Sequence, residues 1–332
     1  MKILAGVIGS GVGKRHIEAI DDYKSSKVLV ICEKNKKKII QLKKEYPDKI
    51  ITNDENVIFF NKKINLISIA SYDNHHFNQI LKCIDHKKNF IVEKPMCLNL
   101  TELKKINFLL RSNRDIKMMS NLVLRYNSLF KHIKKNINKK KVFFIEADYI
   151  WGRRNKLFQW RSKIKNYSLT LGAAIHMIDL VMWLLNDKPI SVTSYGNNIA
   201  TKSSSFRKKS FIIYVLKFKN NLLVKITANA SAAHDHFHEL RVYQNNKSLI
   251  NSFLGAYTFL TKNKKIVLKK IIKEYPDKSN RKNLIRDFID FLIKDKKKAP
   301  ISHEDQIRLM TVCFYADKSL QDNKEKKIKY FK

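Results

Sequence analysis

Four of the eight glycines in this chain, Gly6, Gly9, Gly11 and Gly13, fall in one octet that starts within an apolar run at residues 3–8 and ends before a helix-patterned stretch at 14–22. Glycine has no Cβ, so such a cluster marks a place where the backbone turns sharply and where a ligand or another backbone comes close. A strand, a glycine turn and a helix in succession leave free N–H groups and the positive end of a helix dipole at the turn, which together cradle a phosphate group. Gly9 serves the turn and Gly11 the close approach. A strict G-x-G-x-x-G counted from Gly9 places its third glycine at 14, where the chain has Lys14; here Gly13 stands one place early.

The pattern that opens at the glycines continues. Apolar runs at 28–31, 64–70 and 90–92 alternate with helical periodicities at 36–46, 75–86 and 100–111, and a last run lies near 117–122. Strand and helix in strict alternation predict an α/β, doubly wound parallel sheet over residues 1–122. Beyond it long strand patterns follow one another at 142–151, 190–197, 210–218, 222–230, 239–244 and 257–262, some joined by polar turns such as Lys219-Asn220-Asn221. These predict a second, α+β domain over 123–332 with a large open, mostly antiparallel sheet. Helices are expected at 281–294 and 304–319, with a charged, frayed tail from Asp322. At 332 residues and 44% apolar content the chain can fill two cores.

Composition narrows the compartment and the partners. The four cysteines, Cys32, Cys83, Cys97 and Cys313, show no paired spacing, which fits a reducing compartment. The first apolar run ends in glycines within eight residues, and the stretch at 175–185 is interrupted by His176 and Asp179, so neither a signal sequence nor a membrane span is expected. The reading is a cytoplasmic protein. The net charge of +38 raises the question of nucleic acid. Its lysines are spread over the whole chain instead of clustering with aromatics on one face, so no nucleic-acid partner is expected, while a positive field attracts anionic small molecules.

Three further constellations carry chemistry. The second strand ends at Glu33, about twenty residues past the glycines, where a carboxylate receives the ribose 2′-hydroxyl of a dinucleotide and repels a 2′-phosphate. The expected cofactor is therefore NAD, with NADP still possible because Lys34, Lys36, Lys37 and Lys38 follow. Glu93-Lys94-Pro95 puts a lysine at the carboxyl end of a parallel strand, beside the crevice where such sheets bind ligands. In the apolar segment 171–185 the two ionisable groups, His176 and Asp179, sit three apart on one helix face. Burying them costs several kcal/mol without partners, so they are expected to face each other or a polar cleft. His234, His236 and His238 alternate on an expected strand start, so their side chains are expected on one face. No metal is expected there, and substrate hydrogen bonding is the reading for one of them, His236.

Taken together these residues resemble the glucose-fructose oxidoreductase and inositol dehydrogenase (Gfo/Idh/MocA) family. The resemblance runs essentially end to end. It rests on Gly9-Ser10-Gly11-Val12-Gly13 followed by Arg15-His16, the loop Ser71-Tyr72-Asp73-Asn74-His75-His76, Glu93-Lys94-Pro95, Arg125-Tyr126, Trp160-Arg161, the segment 172–179, His236-Phe237-His238-Glu239 and Ala316-Asp317-Lys318-Ser319. It implies hydride transfer between a nicotinamide and a carbinol or keto carbon of a sugar, inositol or sugar nucleotide. Lys94 would hold the reacting oxygen and His176 would give or take its proton. Asp179 would bind a hydroxyl or orient the imidazole. Ser71, Tyr72, His76 and Glu93 would line the nicotinamide-ribose side, with Arg125, Trp160 and Arg161 bordering the substrate. The family's open sheet implies a homodimer or homotetramer.

The chain departs from the family pattern at two points. Many members carry an Asp four residues before the catalytic His and a Gly two before it; this chain has Gly172 and Ala174. Tyr72 stands in place of the loop proline. The first departure leaves two other functions open: a non-catalytic NAD-binding sensor or scaffold, or a reductase of an imine or biliverdin-like substrate.

Overall fold

In the computed structural model, residues 2–273, 275–277, 279–294 and 298–331 are described, and they form two compact units. The first comprises residues 1–126 with 278–307, and the second 127–277 with 308–332. The expectation gave 123–332 to one domain. The structure instead returns 278–307 to the first unit, because helix Asn280–Ile293 packs on helix Gly13–Asp21 and on the turn Val123–Tyr126.

The first unit is a six-stranded, all-parallel sheet of β1 (Ile3–Ile8), β2 (Ser26–Cys32), β3 (Ile50–Thr52), β4 (Leu66–Ile69), β5 (Asn89–Val92) and β6 (Met118–Ser120), in the order β3-β2-β1-β4-β5-β6. Ile3, Ala5, Val7, Leu66, Ile67 and Ile69 have no exposed surface, as expected of strands covered on both faces. The strand order reverses between β1 and β4, and loops diverging at such a point leave a crevice for a ligand. Those two loops hold the glycine turn and Ser71–His75.

The second unit is a nine-stranded mixed sheet of β7 (Val142–Ile150), β8 (Ser191–Asn197), β9 (Phe211–Lys217), β10 (Leu223–Asn229), β11 (Phe237–Gln244), β12 (Lys247–Ser252), β13 (Gly255–Lys262), β14 (Lys265–Lys270) and β15 (Lys326–Lys327). The order is β14-β13-β12-β11-β7-β10-β9-β8-β15, and β7 with β10 is its parallel pair. Alternate residues of β7 are buried, and helix Ile175–Leu185 packs on that strand. On the other face Lys225 bonds Glu146 at 2.8 Å across β10 and β7, and Arg241 of β11 lies 3.5 Å from the same carboxylate, cross-strand pairs that keep a half-exposed sheet surface polar. The polar β12 and the lysine-rich β14 escaped the sequence reading, since strands with one solvated face carry little apolar signal.

The tail is not frayed. β15 pairs with β8, Ile328 N–H donates to Ile190 O at 2.8 Å, and Tyr330 hydroxyl donates to Pro189 O at 2.6 Å. Its charged lysines hid one apolar and one aromatic anchor. Among the described residues no helix is long and apolar enough to cross a membrane, and all four cysteines are buried.

Candidate active site

The glycines divide their labour as their positions require. Gly9 has φ +91°, and a Cβ there would stand 2.5 Å from Ala70 O, so only glycine turns the chain this close to β4. A Cβ on Gly13 would touch Val7 Cγ1 at 3.2 Å and Ala70 Cβ at 3.3 Å, the close helix-to-strand packing asked of a third glycine. The displacement by one residue therefore leaves that role filled. A Cβ on Gly11 would meet no atom within 4 Å, leaving the backbone of the turn open to an incoming group.

Glu33 lies beside this turn. Its Oε2 accepts from Ser10 N–H at 3.0 Å and from the Ser10 hydroxyl, and Oε1 accepts from Asn35 N–H at 3.0 Å. Burial by itself raises such a carboxyl, but the Ser10 hydroxyl, the two N–H groups and the charge of Lys38 outweigh it and hold Glu33 below its usual value. It is an anion at the carboxyl end of β2, fixed by the turn. Val12 heads the helix that follows. An open glycine face, a helix N-terminus and a fixed carboxylate suit a pyrophosphate and a ribose diol, and so fit a dinucleotide.

Glu93 and Lys94 follow β5. His16 Nε2–H donates to Glu93 Oε1 at 3.0 Å, and the Ser68 hydroxyl donates to its Nδ1 at 2.8 Å, a pairing that selects the tautomer. Asn121 Nδ2 donates to the same Glu93 oxygen at 2.6 Å, and Arg281 Nε lies 3.7 Å from it. Burial opposes the charge, yet His16, Arg281 and Asn121 hold the Glu93 carboxyl well below the carboxylate range. Glu93 thus acts as an internal strut for the backbone that carries half-buried Lys94. His76, fully buried, ties the two neighbouring loops: Nδ1 reaches Pro95 O at 2.7 Å and Nε2 reaches Ser71 O at 3.2 Å. The Ser71 hydroxyl donates to Gln79 Oε1 at 2.7 Å, while Tyr72 is half exposed. Arg125 is buried in an ion pair with Asp305 at 2.9 Å, so the guanidinium read as a substrate contact is anchored within its own unit.

In the second unit the helix before His176 opens as a π-helical turn, Thr170–Ala174, and becomes α-helical at Ile175. Thr170 hydroxyl donates to Asp317 and lies 2.8 Å from Tyr214 Oη. Burial pushes the Asp317 carboxyl up to about 6, against the hydrogen bonds from Thr170 and Ser168. His176 is half-buried with its ring parallel to Tyr149 of β7, centroids 5.7 Å apart at 8°. Asp179 is buried one turn on. Around Tyr149 gather Trp151 at 6.0 Å, His236 at 5.2 Å and His238 at 4.8 Å. Arg161 lies over Trp160 at 4.1 Å and over Trp151 at 5.4 Å, so Trp160 and Arg161 join this cluster.

His236 Nδ1–H faces Ile150 O and Trp151 O, each at 3.1 Å, which leaves Nε2 with its lone pair. Burial and then the charge of Arg153 push its pKa down to about 4, so it is a neutral acceptor at pH 7. His238 is lowered by burial and shares a hydrogen bond with the Tyr275 hydroxyl. His234 does not share their face. It precedes the strand and packs on Phe253 at 4.7 Å, which corrects the expected alignment of the three rings. Among the described residues no group of three His, Cys, Asp or Glu side chains is set to hold a metal.

Several of these side chains carried no sequence motif: Tyr149, Trp151, Asn121 and Arg281. Tyr149 and Trp151 could have been found from the alternation along 142–151, which turns both to the helix-covered face. Arg281 could not, because nothing local to 278–307 marks its return to the first unit.

Residues 3–121 match the family model described as an oxidoreductase family with an NAD-binding Rossmann fold, and residues 141–250 match the GFO/IDH/MocA C-terminal domain. An uncharacterised oxidoreductase of Streptococcus pneumoniae is 22% identical over 178 residues, covering 52% of this chain and 46% of the relative. The chain thus spans about half the length of the curated relatives it matches. Among solved structures, scyllo-inositol dehydrogenase of Lactobacillus casei with bound NAD(H) and scyllo-inositol is similar in fold with TM-score 0.83 at 16% identity, covering 98% of this chain and 99% of that one. A levoglucosan dehydrogenase in complex with NADH and levoglucosan reaches 0.85 at 15% identity, covering 99% and 100%.

Proposed function

Because the chain belongs to the Gfo/Idh/MocA oxidoreductase family, we propose that it moves a hydride between a nicotinamide and a carbinol or keto carbon of a sugar, a polyol or a nucleotide sugar. Bound NAD(H) supplies or takes that hydride at its nicotinamide ring. Gly9, Ser10, Gly11, Val12 and Gly13 hold the pyrophosphate, and Glu33 takes the adenine ribose, which favours NAD over NADP. Ser71, Tyr72, His76 and Glu93 shape the nicotinamide-ribose side. Lys94 holds and polarises the reacting oxygen, and His176 gives or takes its proton.

His236 Nε2 accepts from a neighbouring hydroxyl, while Asp179 orients the imidazole or a second hydroxyl. Trp160 offers an apolar face to a sugar ring and Arg161 a cation to an acidic group. The open face of the nine-stranded sheet serves a homodimer or homotetramer, and the charge of +38 favours an anionic substrate.

The observation that carries this reading is the placement of His176 flat against Tyr149 within a ring of His236, His238 and Trp151. A structural histidine needs no such set of polar rings. The test is absorbance at 340 nm with NAD+ and, in turn, scyllo-inositol, myo-inositol, levoglucosan and UDP-N-acetylglucosamine. Turnover that falls by about 10²–10⁴-fold in His176→Ala, with NADH affinity kept, supports it. A second reading, a non-catalytic NAD-binding protein, is favoured by Gly172. Tight NADH binding with no turnover of any of these compounds decides for it.

A further inference from the structure

His236 and His238 lie at the start of β11 with their rings 4.8 Å apart at 78°, and both are set edge-on to the Tyr149 ring against which His176 stacks. The His238 ring is also 6.3 Å from that of His176 itself. The two Nδ1 atoms meet opposite kinds of partner. His236 Nδ1 faces the carbonyls of Ile150 and Trp151, which only accept, so that nitrogen carries the proton. His238 Nδ1 faces the Tyr275 hydroxyl, which can donate or accept. The surroundings of the phenol decide between these. Its ring lies 5.1 Å from Phe130 and 5.0 Å from Phe237, burial raises it well above its usual pKa, and among the described residues its hydroxyl has no second hydrogen-bond partner. An imidazole that donated to it would leave the O–H proton without an acceptor, at a cost of about 1–3 kcal/mol. The hydroxyl therefore donates, and Nδ1 is the bare nitrogen of His238.

Burial holds His236 at about 4 and His238 well below its usual value, so both rings are neutral at pH 7 and each has one N–H. With the Nδ1 atoms assigned, Nε2 of His236 is an acceptor and Nε2 of His238 a donor. Among the described residues neither Nε2 has a hydrogen bond within the chain. We propose that these two histidines, held in opposite tautomers, read two neighbouring oxygens of the substrate: a hydroxyl donates to His236 Nε2, and the oxygen beside it accepts from His238 Nε2–H. Tyr275 is then a positioning residue that acts through His238. The inference deepens the oxidoreductase reading and rests on it. Because the pair carries no charge, what it recognises is a pattern of adjacent oxygens, as in a vicinal diol or a hydroxyketone, the two forms that hydride transfer interconverts.

The test has two arms, both on the full chain. Long-range proton–nitrogen spectra of histidine-labelled protein at pH 7, with the rings identified by their loss in His236→Gln and His238→Gln, read each tautomer without any substrate. The expected result is a proton on Nδ1 of His236 and on Nε2 of His238. The same tautomer in both rings, or a charge on either, overturns the proposal. In the second arm Tyr275→Phe keeps the ring between Phe130 and Phe237 and removes only the hydroxyl. The nitrogen pattern of His238 should change while that of exposed His75 stays. Steady-state turnover with NAD+ and scyllo-inositol, levoglucosan or UDP-N-acetylglucosamine should show KM about tenfold higher, with kcat and NADH affinity within about threefold. An unmoved KM overturns the substrate role of His238. If the parent turns over none of the three, the oxidoreductase reading fails and the substrate role falls with it, while the spectra still decide the tautomers.

Discussion

The three glycines of the turn make separable predictions, because each meets a different neighbour. For Gly9→Ala, the left-handed backbone costs roughly 1–2 kcal/mol, and the 2.5 Å approach to Ala70 O adds overpacking of about 1–3 kcal/mol. The first unit should lose about 3 kcal/mol. In Gly11→Ala the new Cβ meets nothing within 4 Å and the backbone is not left-handed. The smaller entropy of its unfolded chain should then leave stability unchanged or raise it by roughly 0.4–1 kcal/mol. Gly13→Ala has contacts of 3.2 and 3.3 Å, a squeeze that the better helix propensity of alanine offsets by about 1 kcal/mol. Its stability should stay near the parent's.

Binding should sort the three differently, since the space open at Gly11 is where the pyrophosphate comes. NADH titrations followed by nicotinamide fluorescence should show Gly11→Ala weakened by about tenfold, or 1.4 kcal/mol, while urea unfolding followed by circular dichroism shows it intact. Gly13→Ala should bind like the parent. If Gly11→Ala unfolds as readily as Gly9→Ala, or binds NADH as the parent does, the assignment of the turn is wrong.

Gly172→Ala should destabilise the second unit by about 1–2 kcal/mol, the overpacking against Tyr167 less the helix gain, as read from urea midpoints; a stabilised variant would mean that the ring yields freely. Asp317 has its carboxyl raised from 3.8 to about 6, so its favourable contribution is complete below about pH 3.8 and is lost as pH rises through 6. Asp317→Asn should therefore gain on the parent between pH 4 and pH 7.5, by about 1 kcal/mol after allowance for screening, and a constant difference across that range would refute the burial argument. His236→Phe should raise KM for a polyol about tenfold with NADH affinity unchanged, since a neutral acceptor and not a charge is removed; equal KM values would take His236 out of the substrate site.

Much of the first unit was legible because parallel strands buried on both faces read as apolar runs, and because glycine at 9, 11 and 13 has few other uses. Glu33 and Lys94 were placed by their distance from those strands. The second unit was less open: β12 is half polar, β14 is lysine-rich, and the anchors Ile328 and Tyr330 lie in a charged tail. His176 stood out as a polar break in an apolar helix, but its surroundings did not. Tyr149 and His238 reach it from neighbouring strands, and Tyr167 fills the space of Gly172 by a packing choice that no spacing encodes. The return of 278–307 to the first unit was hidden for the same reason, since Arg281 and Gln306 find Glu93 and Ser120 only once the chain has folded.

The central claim is that Lys94 and His176 serve one hydride transfer from a cofactor held at the glycine turn. The direct test is a crystal structure of the protein with NADH and a polyol that it turns over. The account predicts the pyrophosphate on Gly11, the adenine ribose on Glu33 and the reacting oxygen on Lys94 Nζ, with the carbinol carbon about 3–3.5 Å from nicotinamide C4. A nicotinamide turned away from Lys94, or a pyrophosphate bound elsewhere than the glycine turn, would contradict it.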